Sequence, residues 1–82
     1  MDNTISALDQ IISERKDGNP NTSYVAQLHN EGLNKILEKI SEETTEVILA
    51  AKEETAINEP DNVIKEVADL WFHSIVLLHH LN

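Results

Sequence analysis

Between Leu33 and Glu54 the chain contains neither glycine nor proline, and Leu33, Ile36, Leu37, Ile40, Thr44, Val47, Ile48 and Ala51 gather on one side of a wheel turned about 100° per residue. A run of that period buries its apolar residues together only as a helix, because a strand would scatter them over both faces. Other segments behave alike. Ile5, Leu8, Ile11 and Ile12 recur at spacings of three and four, Thr4 or Asn3 can cap the start, and Asp17-Gly18-Asn19-Pro20 ends the run, which predicts a first helix over residues 3–16. Asn21-Thr22-Ser23 offers caps for a short second helix through Tyr24, Val25 and Leu28, with Gly32 placed to close it. After a polar connector from Thr55 to Glu59, Pro60 suits the first turn of a last helix that runs to Leu81.

With 2 glycines, 2 prolines and one residue each of Trp, Tyr and Phe, the composition favours helix almost everywhere. The expected fold is all-α, a small bundle of four to five helices forming a single domain over residues 1–82. A chain of 82 residues without cysteine has little core of its own and no covalent staple. The second half of the last helix is apolar nearly all round, through Leu70, Trp71, Phe72, Ile75, Val76, Leu77, Leu78 and Leu81, so the bundle is expected to be completed by homodimerisation.

The formal charge of -9, from 15 acidic against 6 basic residues, argues against nucleic acid as a partner, since no basic run is present to displace counterions. Asp69, His73, Ser74, His79 and His80 interrupt the longest apolar stretch, so no membrane span is expected. Charges at Asp2, Asp9, Glu14, Arg15, Lys16 and Asp17 stand where a secretory signal would be apolar, which points to the cytoplasm. The same acidity would repel a polyphosphate unless clustered carboxylates hold divalent cations that reverse the local field.

Such a cluster is available. Glu43 borders the apolar stripe of the third helix with Glu46 about 60° away, and Glu66, Asp69 and His73 fall within about 60° of one another on the fourth. If the two helices pack as an antiparallel hairpin, Glu43, Glu46, Glu66 and Asp69 meet across the seam. All-oxygen ligands are hard and suit Mg²⁺, or Mn²⁺, rather than zinc. The competing reading is an ordinary solvated face in which Lys35, Lys39 and Lys52 pair with neighbouring acids, although Glu66 and Asp69 interrupt a strongly apolar helix, where an unpaired acid is costly.

The sequence E-E-T-T-E at 42–46 with E-V-A-D at 66–69 resembles the E-E-x-x-E and E-x-x-D signature of the all-α, MazG-like nucleoside-triphosphate pyrophosphohydrolases. Glu14-Arg15-Lys16, Ser23-Tyr24-Val25 with Leu28, Gly32-Leu33, Lys39-Ile40-Ser41-Glu42-Glu43, Ala50-Ala51-Lys52 and Ala68-Asp69-Leu70 with Phe72-His73 are similar, within that group, to the phosphoribosyl-ATP pyrophosphatases of histidine biosynthesis. The chain departs from that family at Ser41, where glycine is common, and at Phe72, where tyrosine is common. The resemblance implies a Mg²⁺-dependent homodimer that hydrolyses phosphoribosyl-ATP to phosphoribosyl-AMP and pyrophosphate. It implies metal ligands at Glu43, Glu46, Glu66 and Asp69, with Glu42 as a further ligand or base.

Other residues keep two readings each. A carboxylate free of metal, Glu42 or Glu46, would accept a proton from the attacking water. Lys39 lies about 40° from Glu43 and could touch a phosphate, whereas Lys52 lies on the opposite side and would act across a protomer boundary. Arg15 either complements a helix C-terminus or contacts a phosphate. Ser23 and Tyr24 are candidate substrate contacts, and Tyr24 packs, stacks on adenine or bonds a phosphate. His73 either supports a carboxylate by a hydrogen bond or is a satisfied core residue. His79 and His80 are read as cations favouring the end of the last helix, and Trp71 as core.

Overall fold

Four helices form among the described residues, 3–53 and 56–82 of the computed structural model, and no strand occurs there. They are α1 (Asn3–Arg15), α2 (Tyr24–Glu31), α3 (Leu33–Lys52) and α4 (Asp61–Leu81). The expected end of the third helix at Glu54 and the start of the connector at Thr55 lie outside the described residues, as does Asp2.

Local chemistry explains most of the boundaries. Past Arg15, the main chain turns on bonds from Gly18 N to the Arg15 oxygen and from Asn21 N to the Asn19 side chain, 3.0 and 2.9 Å. Ser23 then caps α2, its hydroxyl oxygen accepting from Ala26 N at 3.2 Å. Gly32 ends α2, donating to the Leu28 oxygen, and is at once the residue from which α3 starts. Its φ of 99° is open to glycine and strained for any L side chain. Two expectations shift by a residue or two. Thr4 and Asn3 fall inside α1 rather than ahead of it, and Pro60 stands just before α4, its oxygen accepting from Ile64 N at 3.0 Å, instead of within the first turn.

The core is one cluster of Ile12, Val25, Leu28, Ile36 and Val76, with Leu8, Ile40, Phe72, Ile75 and Leu77 packed around it. Each such side chain, removed from water, stabilises by about 1.5–3 kcal/mol. Ile36 early in α3 meets Val76 late in α4, while Glu43 and Glu46 further along α3 meet Glu66 early in α4, so the two helices run antiparallel. Their pairing is the most extensive in the structure. The buried side of α3 reads Ile36, Ile40, Glu43, Val47 and Ala50; Thr44, placed in the apolar stripe by sequence, is exposed and bonds the Ile40 oxygen. Glu43 therefore sits in the middle of the buried side and not at its border.

Polar staples hold the far end of α4. Lys16 Nζ donates to the His79 oxygen at 2.6 Å, which satisfies a carbonyl that a helix C-terminus leaves open. His79 Nε2 meets Asp9 at 2.7 Å, and His80 Nδ1 faces His29 Nδ1 at 3.0 Å. The histidines expected only to favour the helix terminus thus fasten α4 to α1 and α2. Ile64, Trp71, Leu78 and Leu81 of α4, and Ile48 and Leu49 of α3, remain between 44% and 64% exposed. No helix among the described residues is long and apolar enough to cross a membrane.

Candidate active site

Glu43 is 7% exposed and Glu66 9%, and with the exposed Glu46 they bring one carboxylate oxygen each to within 4.8 Å of one another. Helical spacing accounts for the arrangement: Glu43 and Glu46 share a face of α3 at i and i+3, and the antiparallel crossing delivers Glu66. Glu43 Oε2 and Glu66 Oε2 are buried with no hydrogen-bond partner among the described residues. Lys65 approaches Glu66 only through Oε1, at 3.8 Å, and its own side chain is 72% exposed.

Converging carboxylates disfavour one another's ionised forms. Burial pushes the Glu43 carboxyl above its ordinary value, and the Glu46 and then the Asp69 carboxylates push the same way. For Glu66 the adjoining Glu46 carboxylate is the main cause of an upward shift, followed by burial. A divalent cation would remove both costs, since it replaces the missing hydrogen-bond partners and offsets the repulsion. The donor atoms are carboxylate oxygens throughout, the chemistry that hard cations take. The residues present fit such an ion.

Of the four expected ligands, three converge; Asp69, half-buried one turn beyond Glu66, lies outside the 4.8 Å group but close enough to act on Glu43 and Glu66 through its charge. Glu42 also stands outside the group. It pairs with Lys39 at 2.9 Å, which holds its carboxyl below the usual range and raises the Lys39 ammonium correspondingly. Lys39 is thereby fixed one turn from Glu43, on the side toward Tyr24.

Tyr24 opens α2 and lies across α4. Its hydroxyl is 2.7 Å from His73 Nε2, and His73 Nδ1 is 2.7 Å from the Asp69 main-chain oxygen. His73, 6% exposed, thus spends both ring nitrogens on a phenol and a carbonyl. Tyr24 also stacks on Phe72, with centroids 5.9 Å apart and planes 16° apart. Burial raises the Tyr24 hydroxyl above its ordinary pKa, so it keeps its hydrogen. The remaining candidates spread out: Ser23 is the α2 cap, Arg15 is exposed in the last turn of α1, and Lys52 is exposed in the last turn of α3. Tyr24 and His73 are 49 residues apart, so no spacing rule could have joined them, although each is visible singly.

Residues 5–82 match the family described as phosphoribosyl-ATP pyrophosphohydrolase. A protein of Hydrogenovibrio crunogenus bearing the name phosphoribosyl-ATP pyrophosphatase is 52% identical over 73 residues, which cover 89% of this chain. The chain spans 65% of the length of that relative.

Proposed function

Because the chain belongs to the phosphoribosyl-ATP pyrophosphohydrolase family, we propose that it hydrolyses phosphoribosyl-ATP to phosphoribosyl-AMP and pyrophosphate, the second step of histidine biosynthesis, in the cytoplasm. The observation that carries this reading is the convergence of Glu43, Glu46 and Glu66 with two buried oxygens unpaired among the described residues. Residues 1–82 act as one domain, and Asp69 joins the three glutamates in holding a hard divalent cation, Mg²⁺ or Mn²⁺. Such an ion supplies charge neutralisation at the phosphates and a lowered pKa for water.

The chain's own residues do the rest. Lys39, one turn from Glu43, places an ammonium where phosphate oxygens arrive. Glu42 is the proton acceptor: it stands outside the cluster, so its oxygens stay free of the cation, and Lys39 keeps it ionised in the resting protein. When Lys39 turns to phosphate, Glu42 loses the partner that lowered its proton affinity and becomes the better base. Tyr24 meets the nucleoside side, with Ser23 fixing the start of its helix. Arg15 and Lys52 lie away from the cluster, and a contact from either to a phosphate requires a second chain.

That second chain is a copy of this one. Ile64, Trp71 and Leu78 recur every seven residues along α4 and form an exposed apolar stripe continued by Leu81, the pattern of a helix face that packs on another helix. Pyrophosphate release from phosphoribosyl-ATP, ATP and dCTP, each with Mg²⁺ and with EDTA, tests the reaction. Metal-dependent release from phosphoribosyl-ATP alone is expected. Release from ATP or dCTP at comparable rates would move the protein to nucleotide housecleaning, and none from any substrate would make it a non-catalytic helical module.

A further inference from the structure

The bond between Tyr24 and His73 has a direction, and it is fixed from the far side of the imidazole. The Asp69 main-chain oxygen, 2.7 Å from His73 Nδ1, can only accept, so Nδ1 carries the ring hydrogen. In a neutral imidazole Nε2 then offers a lone pair alone, and the 2.7 Å contact to Tyr24 is made by the phenolic hydrogen. Phe72 holds the phenol on one face, and the His73 ring meets its edge with centroids 5.6 Å apart. With the imidazole neutral, the hydrogen of Tyr24 is turned into the protein. Away from His73, on a residue 44% exposed overall and within reach of the charges of Lys39, Glu42 and Glu43, the hydroxyl shows only lone-pair density.

We propose that His73 is a positioning residue that keeps Tyr24 a hydrogen-bond acceptor, so that the group Tyr24 takes from the substrate is a donor, a sugar hydroxyl or a base amino group, and not a phosphate oxygen. An ionised phosphate oxygen would meet the Tyr24 oxygen lone pair to lone pair. The inference rests on the substrate reading above and sharpens it. Phosphates go to the Lys39 and carboxylate side, while Tyr24 reads the nucleoside or the second ribose by its hydroxyls and amino groups. Sequence left stacking, packing and phosphate contact open for Tyr24; the bond to His73 removes the phosphate.

The test uses the whole chain with Mg²⁺ and phosphoribosyl-AMP, which binds without being hydrolysed further. Calorimetry on Tyr24→Phe is expected to show roughly three- to tenfold weaker binding than wild type, the worth of one hydrogen bond between uncharged groups. In ¹⁵N-histidine-labelled wild type at about pH 8, where imidazole is neutral, His73 is expected as an Nδ1–H form whose Nε2 accepts a hydrogen bond, in addition to the Nδ1–H form that the Nδ1–Nδ1 contact of His29 with His80 requires. Tyr24→Phe identifies that resonance by shifting it, and the tautomer is expected to persist when phosphoribosyl-AMP is added. Unchanged affinity in Tyr24→Phe would overturn the proposal, as would conversion of His73 to the Nε2–H form in the complex, because Tyr24 would then have turned its hydrogen to the ligand. Folded wild type that binds no phosphoribosyl-AMP would overturn the substrate reading itself, a result separable from either of these.

Discussion

Replacing Glu43 by glutamine separates a cation site from an ordinary acidic surface, because the two assign opposite signs to the change. In the metal-free protein Glu43 lacks a hydrogen-bond partner at Oε2 among the described residues and is crowded by Glu46 and Asp69, so removing its charge should leave the melting temperature equal or higher. With metal the sign reverses. A cation at a hundred times its Kd stabilises the folded wild type by RT ln 101, about 2.7 kcal/mol. In a domain of this size each kcal/mol moves Tm by about 4–8 °C, so the expected rise is about 10–20 °C. If glutamine weakens binding a hundredfold, the same metal concentration leaves RT ln 2, about 0.4 kcal/mol, and a rise of about 2–3 °C. Differential scanning fluorimetry across a Mn²⁺ titration reads both quantities. Glu43→Gln melting well below wild type without metal, or rising as far as wild type with it, would refute the reasoning.

Other expectations are independent of that one. Glu42→Gln should lower kcat by about 10²–10⁴ while keeping the metal-induced rise in Tm, since Glu42 lies outside the cluster; loss of both would make it a ligand. Because folding raises the pKa of Glu43 and Glu66, the folded state takes up protons before the unfolded one, and metal-free protein should gain stability as pH falls toward the ordinary value of 4.5. His29 acts in the other direction: burial and the facing His80 lower its pKa, so its contribution is present above 6.5 and is lost as pH falls below it. Urea midpoints against pH for wild type and His29→Asn separate the two, the variant retaining the carboxylate slope and losing the other. Gly32→Ala should cost about 1–3 kcal/mol through its positive φ, seen as a lower Tm with no change in the metal-induced rise. On the proposal that a second copy packs on the apolar stripe along α4, Trp71→Glu should halve the mass measured by light scattering.

The helices were legible because their signals are local: Ser23 before Tyr24, glycine at 32, and a long stretch without breakers in α3. The place of Glu43 was less legible for a definite reason. A helical wheel averages every apolar residue into one direction, and α3 has apolar residues on two sides, Ile36, Ile40, Val47 and Ala50 toward the core and Leu37, Ile48 and Leu49 away from it. The average falls between them and leaves Glu43 at its edge, although it is central to the buried side. Three converging carboxylates follow from i, i+3 spacing and an antiparallel hairpin, both readable in advance. The pairs Tyr24 with His73, His29 with His80 and Asp9 with His79 are set by how α1 and α2 lie across α4, and no periodicity reports that.

Gly32 gives the site a property that none of its side chains has alone. One residue both terminates the helix that carries Tyr24 and starts the helix that carries Glu43 and Glu46, so no slack separates the group proposed to meet the nucleoside from those proposed to work at the phosphates. The two arms behave as a caliper set by a single pair of backbone angles. An extra residue at the joint would add a pair of free backbone angles there and change the direction of one arm against the other, displacing Tyr24 while every carboxylate stayed in place. The distance between Tyr24 and the carboxylates therefore depends on one glycine that supplies no side chain to either.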